Sequence, residues 1–281
     1  MTVAIGWIRK VNNCEEMLFA SDSRLCGGYR WDECPKILPL QRSDCAICFA
    51  GDTAYSYPIM MQIYFAVGEV MRIRTRAMDI TELNGYVLKH ANHLAKSIYD
   101  EADHTSIFEN EFLFGGYSWV DKKFKMWKYI YNKTDDQFQK DGKERNFERR
   151  FGHIFVIGDQ KNNYVLRLRE YMKNKYGDNF ENYHGEKFDM EPFEVLRDML
   201  KESTPHDTIG GAPQLVKVYQ HMNARAVGVY WPKKEDDSFK NRKLMGRSLF
   251  DFEDTDYWFL DPETLRTNPC VKNTNNDEYS N

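Results

Sequence analysis

Hydrophobic residues change their spacing in blocks along this chain, and the order of the blocks is the strongest constraint on its fold. Spacing of two residues predicts strands, and spacing of three and four residues predicts helices with one buried face. The first blocks are a strand hairpin that begins at residue 2 and turns at Asn12 and Asn13, a strand pair over 36–40 and 45–50, and helices over 54–71 and 81–102. The chain therefore opens with strands and continues with two helices.

The same order recurs in the second half of the chain. Its blocks are strands over 112–116, 125–131 and 153–157, helices over 163–176 and 192–200, and strands over 214–219 and 226–230, with a charged, solvated excursion over 132–150. Strands grouped apart from helices favour sheets covered by helix layers over an alternating parallel sheet. We therefore predict an α+β fold, a four-layer αββα sandwich of two antiparallel sheets between helix layers.

The end of the chain differs in composition from the rest. After residue 231 the sequence turns polar, and its last residues, NTNNDEYSN, are typical of a disordered tail. Aromatic residues within 249–260 are still numerous enough to pack against a core. We predict one domain over residues 2–231 and a partly disordered C-terminal extension over 232–281.

Composition and charge exclude several classes of protein. Lys and Arg number 39 against 43 Asp and Glu, so the net charge of −4 gives no reason to expect nucleic acid or an anionic membrane as partner. No run approaches the roughly 18 apolar residues that a membrane helix needs. Six cysteines are too sparse for a disulfide framework, and the first ten residues lack the features of a signal peptide. We expect a cytoplasmic protein with reduced thiols.

Thr2 is the first candidate for chemistry, because it follows Met1 directly. Threonine is small enough for methionine aminopeptidase to release Met1, and the release would place a hydroxyl nucleophile and a basic amine on one residue. The reference pKa of such an amine, about 7.7–8.0, lets it accept the hydroxyl proton near neutral pH. A Met-Thr start is common and by itself indicates only an ordinary terminus, so the prediction depends on its context.

That context is a series of short segments in a fixed order, which are TVAIGWI, FASDSR, CPKI, FAGDTA and HDTIGGAPQLVKV. With these segments the chain resembles the proteasome β-subunit family of N-terminal nucleophile (Ntn) hydrolases over about residues 2–230. It looks most like the bacterial two-component protease whose peptidase subunit also starts at Thr behind a single Met. The resemblance implies that Asp22 lies near the nucleophile and that Lys36 is the catalytic lysine.

The chemistry of these residue types agrees with the implied roles. An ammonium beside the Thr2 hydroxyl and amine favours their deprotonated forms, and a carboxylate keeps that ammonium charged and oriented. Taken singly, Asp22 could have no role beyond starting a turn, and Lys36 could be a solvated residue at the edge of a sheet. The resemblance also implies that Gly51, at the end of a strand and the start of a helix, supplies the amide that receives the oxyanion. Its alternative role is backbone freedom at that junction.

Two positions depart from the family pattern. Asp159 follows Gly158 where the family often has a serine that helps the N-terminal amine exchange protons, and an anion there would raise the pKa of the ammonium. The segment HDTIGG has Ile209 where a serine usually precedes the paired glycines, and its register leaves either His206 or Asp207 in the acidic position. We favour Asp207.

The resemblance implies a threonine peptidase that needs no metal and no organic cofactor. An unfolded polypeptide is the expected substrate, a homo-oligomeric ring the expected assembly, and an ATPase a possible partner. Two alternatives stay open: a non-catalytic ring or scaffold subunit, and an amidase of the same mechanism that acts on a small amide.

Other motifs carry less weight. Cys45 and Cys48 form a CxxC, but their odd separation on a strand points them to opposite faces, which favours core packing over a metal or redox site. The histidines His90, His93 and His104 lack a second ligand pair at a zinc spacing. The run 122–128 is interpreted as an exposed strand turn, since nucleic-acid binding needs a broader basic face.

Overall fold

The structure is a computed structural model, and it describes residues 2–98, 106–141, 154–177, 180, 188–235, 240–253 and 255–269. Its strands are β1 Ala4–Val11, β2 Cys14–Ser21, β3 Leu25–Gly27, β4 Tyr29–Trp31, β5 Ile37–Pro39, β6 Cys45–Ala50, β7 Glu111–Ser118, β8 Lys123–Asn132, β9 Gln137–Lys140, β10 Ile154–Ile157, β11 Gln214–Tyr219, β12 Asn223–Tyr230, β13 Arg242–Leu244, β14 Arg247–Ser248, β15 Trp258–Leu260 and β16 Thr267–Pro269. Its α-helices are α1 Thr53–Glu69, α2 Met71–Arg74, α3 Ile80–Ala95, α4 Lys161–Tyr176 and α5 Glu191–Glu202.

Two main sheets hold most of the strands. The first has the order β10-β1-β2-β11-β12, is continued past β12 by β13 and β14, and gains β15 and β16 at the same strand. The second has the order β5-β6-β7-β8-β9, and a separate hairpin joins β3 to β4. Neighbouring strands pair antiparallel, apart from the parallel pair of β12 with β15. The chain is therefore of mixed α+β class with antiparallel sheets.

Local sequence explains where these strands and helices begin and end. Asn12 has a φ of 55°, which suits the tight turn that joins β1 to β2 and sets the pairing of Val11 with Cys14. The carboxylate of Asp52 accepts a hydrogen bond from the Ala54 N–H at 2.9 Å and caps the start of α1. Asp79 begins α3 in the same way.

Three large clusters of buried apolar side chains make up most of the core, and a small fourth one contains Tyr230, Leu249 and Phe259. One joins the first sheet to α4 and α5 through residues such as Trp7, Leu168 and Phe193. Another joins the second sheet to α1 and α3, and a third joins the two sheets through residues such as Phe19 and Cys48. Alternate side chains of one strand thus enter different clusters, as the period of two requires.

The predicted strands and helices occur in the predicted order, with corrections at three places and with one hairpin, β3 with β4, that the sequence analysis did not predict. The helix predicted over 54–71 ends at Glu69, because the backbone of Val70 turns to ψ 107°, and Val70 and Met71 are 41% and 69% exposed. The helix predicted over 81–102 ends at Ala95, and residues 99–105 lie outside the described part. The stripe of Leu83, Val87 and Ala91 in it is buried as predicted.

The third correction concerns the excursion predicted over 132–150. Its first part contains β9, which pairs with β8 and buries Phe138 against Phe112 and Tyr131, so hydrophobic packing prevails there over the polar composition. Residues 142–150 lie outside the described part. Similarly, Phe124 and Lys128 within the run predicted to be exposed are buried.

The extension past residue 231 contributes strands to the first sheet. β13 pairs antiparallel with β12, β15 pairs parallel with it, and Leu249, Phe259 and Leu260 are buried. The predicted disordered tail, residues 273–281, lies outside the described part of the chain. Among the helices that the structure describes, none has the length and apolar character to cross a membrane.

Candidate active site

Thr2, Asp22 and Lys36 come together at one end of the first sheet. Thr2 lies just before β1, Asp22 just after β2, and Lys36 just before β5. The antiparallel pairing of β1 with β2 in the register Ala4 with Ser21 brings Asp22 beside the start of the chain. The Lys36 ammonium donates to Thr2 Oγ1 at 2.6 Å and to the two Asp22 carboxylate oxygens at 2.9 and 3.0 Å. All three residues are buried.

The Asp22 carboxylate is held by backbone groups as well as by Lys36. The N–H groups of Val3, Arg24 and Gly210 donate to it at 3.3, 3.1 and 3.3 Å. Burial raises the pKa of Asp22, and the charge and hydrogen bonds of Lys36 act in the opposite direction. The carboxylate therefore has a fixed orientation, and it fixes the ammonium that contacts the Thr2 hydroxyl.

Gln214, which sequence reasoning missed, positions the segment that carries Lys36. It is the first residue of β11 and is fully buried. Its side-chain oxygen accepts from the Lys36 N–H at 2.9 Å, and its side-chain nitrogen donates to the Cys34 carbonyl at 2.6 Å. A buried amide at the start of an apolar strand is a usable signal, because such a group needs partners. The sequence alone does not reveal which ones.

Arg24 connects the cluster to the loop before β11. Its guanidinium pairs with Asp32 at 2.6 and 2.8 Å and donates to the carbonyls of Thr204, Asp207 and Ile209. The Arg24 guanidinium lowers the pKa of the Asp32 carboxyl. The same side chain fills the space that a Cβ at Gly210 would need, which explains a glycine there. This contact keeps the Gly210 N–H directed at the Asp22 carboxylate.

Asp159 contacts the other side of Thr2. Its Oδ1 accepts a hydrogen bond from the Thr2 backbone N–H, and its Oδ2 accepts from the Thr208 hydroxyl at 2.7 Å. Gly158 has a φ of 106°, and a Cβ there would collide with the Thr2 carbonyl oxygen. The turn after β10 therefore lies directly against Thr2, and it requires glycine for that approach.

Asp207 lies outside this cluster, contrary to the prediction. Its carboxylate accepts from the Thr204 N–H at 2.6 Å and from the Thr204 hydroxyl at 2.8 Å, and these hydrogen bonds lower its pKa. Both hydrogen bonds stay within the turn of residues 204–207, and Asp207 is exposed. His206 is exposed as well. Thr208, the next residue, makes the contact with Asp159.

Gly51 occupies the predicted junction between β6 and α1. Its φ is 125°, and a Cβ there would collide with Asn110 and with the Glu109 carbonyl. Both reasons require glycine at this position. The neighbouring Asp52 caps α1, so the backbone turns sharply between the strand and the helix.

The CxxC cysteines and the histidines that the sequence analysis set aside form no metal site among the described residues. Cys45 and Cys48 are buried in different core clusters, and burial raises the pKa of both thiols. Within the ranges that the structure describes, no group of three His, Cys, Asp or Glu side chains is placed to hold a metal ion. His104 lies outside those ranges.

Comparison with known proteins adds a likeness of fold. No family model matches the sequence, and no curated protein is similar to it. Among solved structures, the chain is similar to Anbu, an ancestral β-subunit from Yersinia bercovieri, with a TM-score of 0.54 and 10% sequence identity over 80% of this chain and 86% of that one. At this identity the likeness extends to the fold alone, which is that of a proteasome-like β-subunit.

Proposed function

We propose that this chain is a threonine-type amidohydrolase of the proteasome-like Ntn class that cleaves peptide bonds with Thr2. The observation that carries the proposal is the contact of 2.6 Å between the Lys36 ammonium and Thr2 Oγ1, with the same ammonium bound to Asp22. A threonine hydroxyl is a weak nucleophile at neutral pH, and an adjacent cation favours its deprotonated form. Cleavage of the bond before Thr2 would supply the amine that the reaction needs.

The reaction would proceed through an ester on Thr2. The free α-amine takes the proton from Oγ1 as that oxygen attacks the substrate carbonyl carbon, and Lys36 stabilises the negative charge that develops on Oγ1. The amine then gives the proton to the leaving nitrogen, and the C–N bond breaks. In the second half, the amine takes a proton from water, the resulting nucleophile attacks the ester, and the proton returns to Oγ1 as the acid product leaves.

Gly51 and Asp159 complete the proposed site. The Gly51 N–H is the proposed donor to the oxyanion, at a junction where the backbone approaches closely enough to require glycine. Asp159 would orient the freed amine, since its carboxylate already accepts from the Thr2 nitrogen. The cost is that a nearby anion stabilises the ammonium form, which cannot accept the hydroxyl proton.

The core clusters and the likeness to Anbu support two further parts of the proposal. The four-layer αββα arrangement is proposed from the three core clusters, one between the sheets and one on each helix-covered face. A homo-oligomeric ring that acts on unfolded polypeptide, with or without an ATPase partner, is proposed from the relationship to proteasome-like β-subunits.

The decisive experiment is intact-mass measurement of the natively expressed chain before and after treatment with a peptide epoxyketone, which reacts with an N-terminal threonine. We expect the wild-type chain to begin at Thr2 and to gain one adduct. Thr2→Ala should gain none, and Thr2→Ser, which keeps a hydroxyl and an amine, should be labelled. Degradation of casein by the wild type but not by Thr2→Ala would then identify a polypeptide substrate.

Each failure has a distinct meaning. Retention of the residue before Thr2 would contradict the mechanism and favour a non-catalytic ring or scaffold subunit. Labelling without casein degradation would contradict the polypeptide substrate and favour an amidase for small amides. Labelling that persists in Thr2→Ala would contradict the assignment of the nucleophile.

A further inference from the structure

The carboxylate of Glu111 joins the second sheet to the turn that carries Asp159. Glu111 is the first residue of β7, and its Oε2 accepts a hydrogen bond from the Gly158 N–H at 2.8 Å. Its Oε1 accepts from the Lys161 ammonium, also at 2.8 Å. Gly158 opens the turn after β10, and Lys161 is the first residue of α4. One carboxylate therefore binds both ends of this turn.

Glu111 is itself held in a fixed position. Its side chain is 12% exposed, and the buried Lys128 ammonium lies 3.3 Å from Oε1 and 3.6 Å from the Asp141 carboxylate. The backbone of Glu111 pairs with Ala50 of β6 and with Ile130 of β8. A carboxylate with two cations and an N–H donor around it has few other positions that satisfy all of them. The turn after β10 is thus attached to a rigid part of the second sheet.

The position of this turn sets the position of Asp159 against Thr2. Asp159 is exposed, so packing around its side chain does little to hold it. Its Oδ1 accepts from the Thr2 nitrogen, and the Thr208 hydroxyl donates to its Oδ2 at 2.7 Å. The adjacent Gly158 lies against the Thr2 carbonyl oxygen. A shift of the Gly158 backbone would therefore move the Asp159 carboxylate relative to the Thr2 nitrogen.

The charged groups around Thr2 come from three parts of the chain. Asp159 follows β10 and contacts the nitrogen, Lys36 precedes β5 and contacts the hydroxyl, and Asp22 follows β2 and binds Lys36. A nearby anion raises the pKa of an amine, and a nearby cation lowers it. The effects of Lys36 and Asp22 oppose each other, so the distance of Asp159 from the nitrogen has a direct influence on the pKa of the amine.

We propose that Glu111 is a positioning residue for the α-amine of Thr2, and that it acts by holding the turn of residues 158–161 so that Asp159 stays within hydrogen-bond distance of the amine. This inference rests on the proposed function, because it requires a chain that begins at Thr2. Glu111 takes no proton in the reaction. Its effect passes through Asp159.

Loosening this turn should change two features of the pH–rate profile. The ammonium form of the amine loses part of its stabilisation, so the acid limb moves to lower pH. The amine is also oriented less well towards the Thr2 hydroxyl, so the plateau rate falls. A residue that only stabilises the fold would change the melting temperature and leave the acid limb in place.

The test is the rate of epoxyketone labelling between about pH 5 and 9 on full chain whose first residue is Thr2. Glu111→Asp keeps the charge beside Lys128, but its shorter side chain draws the carboxylate back from the Gly158 N–H. We expect the acid limb to move down by about half a pH unit and the plateau rate to fall about tenfold. The matched control is Asp141→Asn, which removes a carboxylate from Lys128 without touching the turn and should leave both features unchanged.

A second variant separates the position of Asp159 from the charge of Glu111. Glu111→Gln should move the acid limb in the parent chain but no further in a chain that carries Asp159→Asn, where no anion remains to be positioned. A shift of equal size in both chains would show a direct effect of the Glu111 charge and overturn the proposal. An unmoved limb in Glu111→Asp, or an equal shift in Asp141→Asn, would overturn it as well. Thermal melting establishes that each variant is folded.

A measurement that needs no reactive hydroxyl separates this proposal from the amidohydrolase proposal. The pH dependence of acetylation of the Thr2 α-amine by acetic anhydride reports the pKa of the amine, and it should show the same shifts. If the epoxyketone does not label the parent chain, the amidohydrolase proposal fails, and the acetylation profiles still decide the role of Glu111. If the parent is labelled and Glu111→Asp leaves both profiles unchanged, only the role of Glu111 is contradicted.

Discussion

Two fully buried ion pairs in this protein have different geometries. Lys36 pairs with Asp22, and Arg42 pairs with Asp44 in the turn between β5 and β6. The Arg42 guanidinium makes two parallel hydrogen bonds to Asp44 at 2.6 and 2.7 Å and a third to the Met78 carbonyl. The Lys36 ammonium is shared between its carboxylate and the Thr2 hydroxyl.

The difference shows that one buried ion pair can stabilise the fold while another holds a charge beside a reactive group. A guanidinium is a planar fork that matches a carboxylate, so the Arg42 pair is directed at its partner and at main chain. An ammonium is a compact charge with three donors, so Lys36 can bind a carboxylate and still approach a third group. The first pair braces a turn, and the second brings a cation to a hydroxyl.

Replacing the lysine should give the largest effect on reactivity. Lys36→Met keeps the length of the side chain and removes the charge, so epoxyketone labelling of Thr2 should slow on the order of 10³-fold, as for other catalytic units that lose a member. The measurement is the labelling rate by intact mass on chain whose first residue is Thr2. An undiminished rate would show that the ammonium is not used.

Breaking the arginine pair should change stability instead. Arg42→Met leaves Asp44 buried without its cation, so the free energy of unfolding should fall by about 3–5 kcal/mol. Urea denaturation followed by tryptophan fluorescence measures the change. The labelling rate per folded molecule should stay that of the wild type, and a slowed rate would contradict the distinction between the two pairs.

Substitutions of Asp159 test its proposed effect on the α-amine of Thr2. Asp159→Ser removes an anion that stabilises the ammonium form of the amine, so the acid limb of the pH–rate profile should move to lower pH by about one unit. The profile of the labelling rate between pH 5 and 9 measures it. Asp159→Asn should move the limb in the same direction, because it also removes the charge, and a limb that stays in place would contradict the role of Asp159.

The Arg24 pair with Asp32 is half-exposed and should give the smallest effect. Arg24 lowers the pKa of Asp32 below its ordinary value of 3.8, so the ionised form stabilises the fold above that value and the contribution is lost as the pH falls through the folded-state pKa. Asp32→Asn should therefore lower Tm slightly at pH 7, and the two melting temperatures should converge in acid. A difference that grows in acid would contradict the sign.

Much of the fold could be predicted because burial has a short period in the sequence. The hairpin of β1 and β2, the stripe of α3 and the helices α4 and α5 follow from spacing alone. The spacing of hydrophobic residues did not predict β9, where the packing of a buried side chain outweighs the polar composition. There a four-residue polar strand is held by one buried phenylalanine, Phe138.

The residues of the candidate site also fall into two groups, those that lie close together in the sequence and those that come from a distant segment. Thr2, Asp22 and Lys36 lie within one segment of sequence whose strands pair locally, and the structure brings them into contact; their catalytic roles stay predictions. Gln214 and Thr208 come from a segment far along the chain, and no pattern in the sequence indicates their partners.

The sequence by itself determined the order of strands and helices and the residue types at the start of the chain, because spacing and turn chemistry act over a few residues. Only the tertiary structure decided that Thr208 contacts Asp159 while Asp207 turns to solvent, and that Gln214 binds the segment that carries Lys36. The physical reason is that such contacts join segments distant in sequence, whose orientation depends on packing of the whole chain.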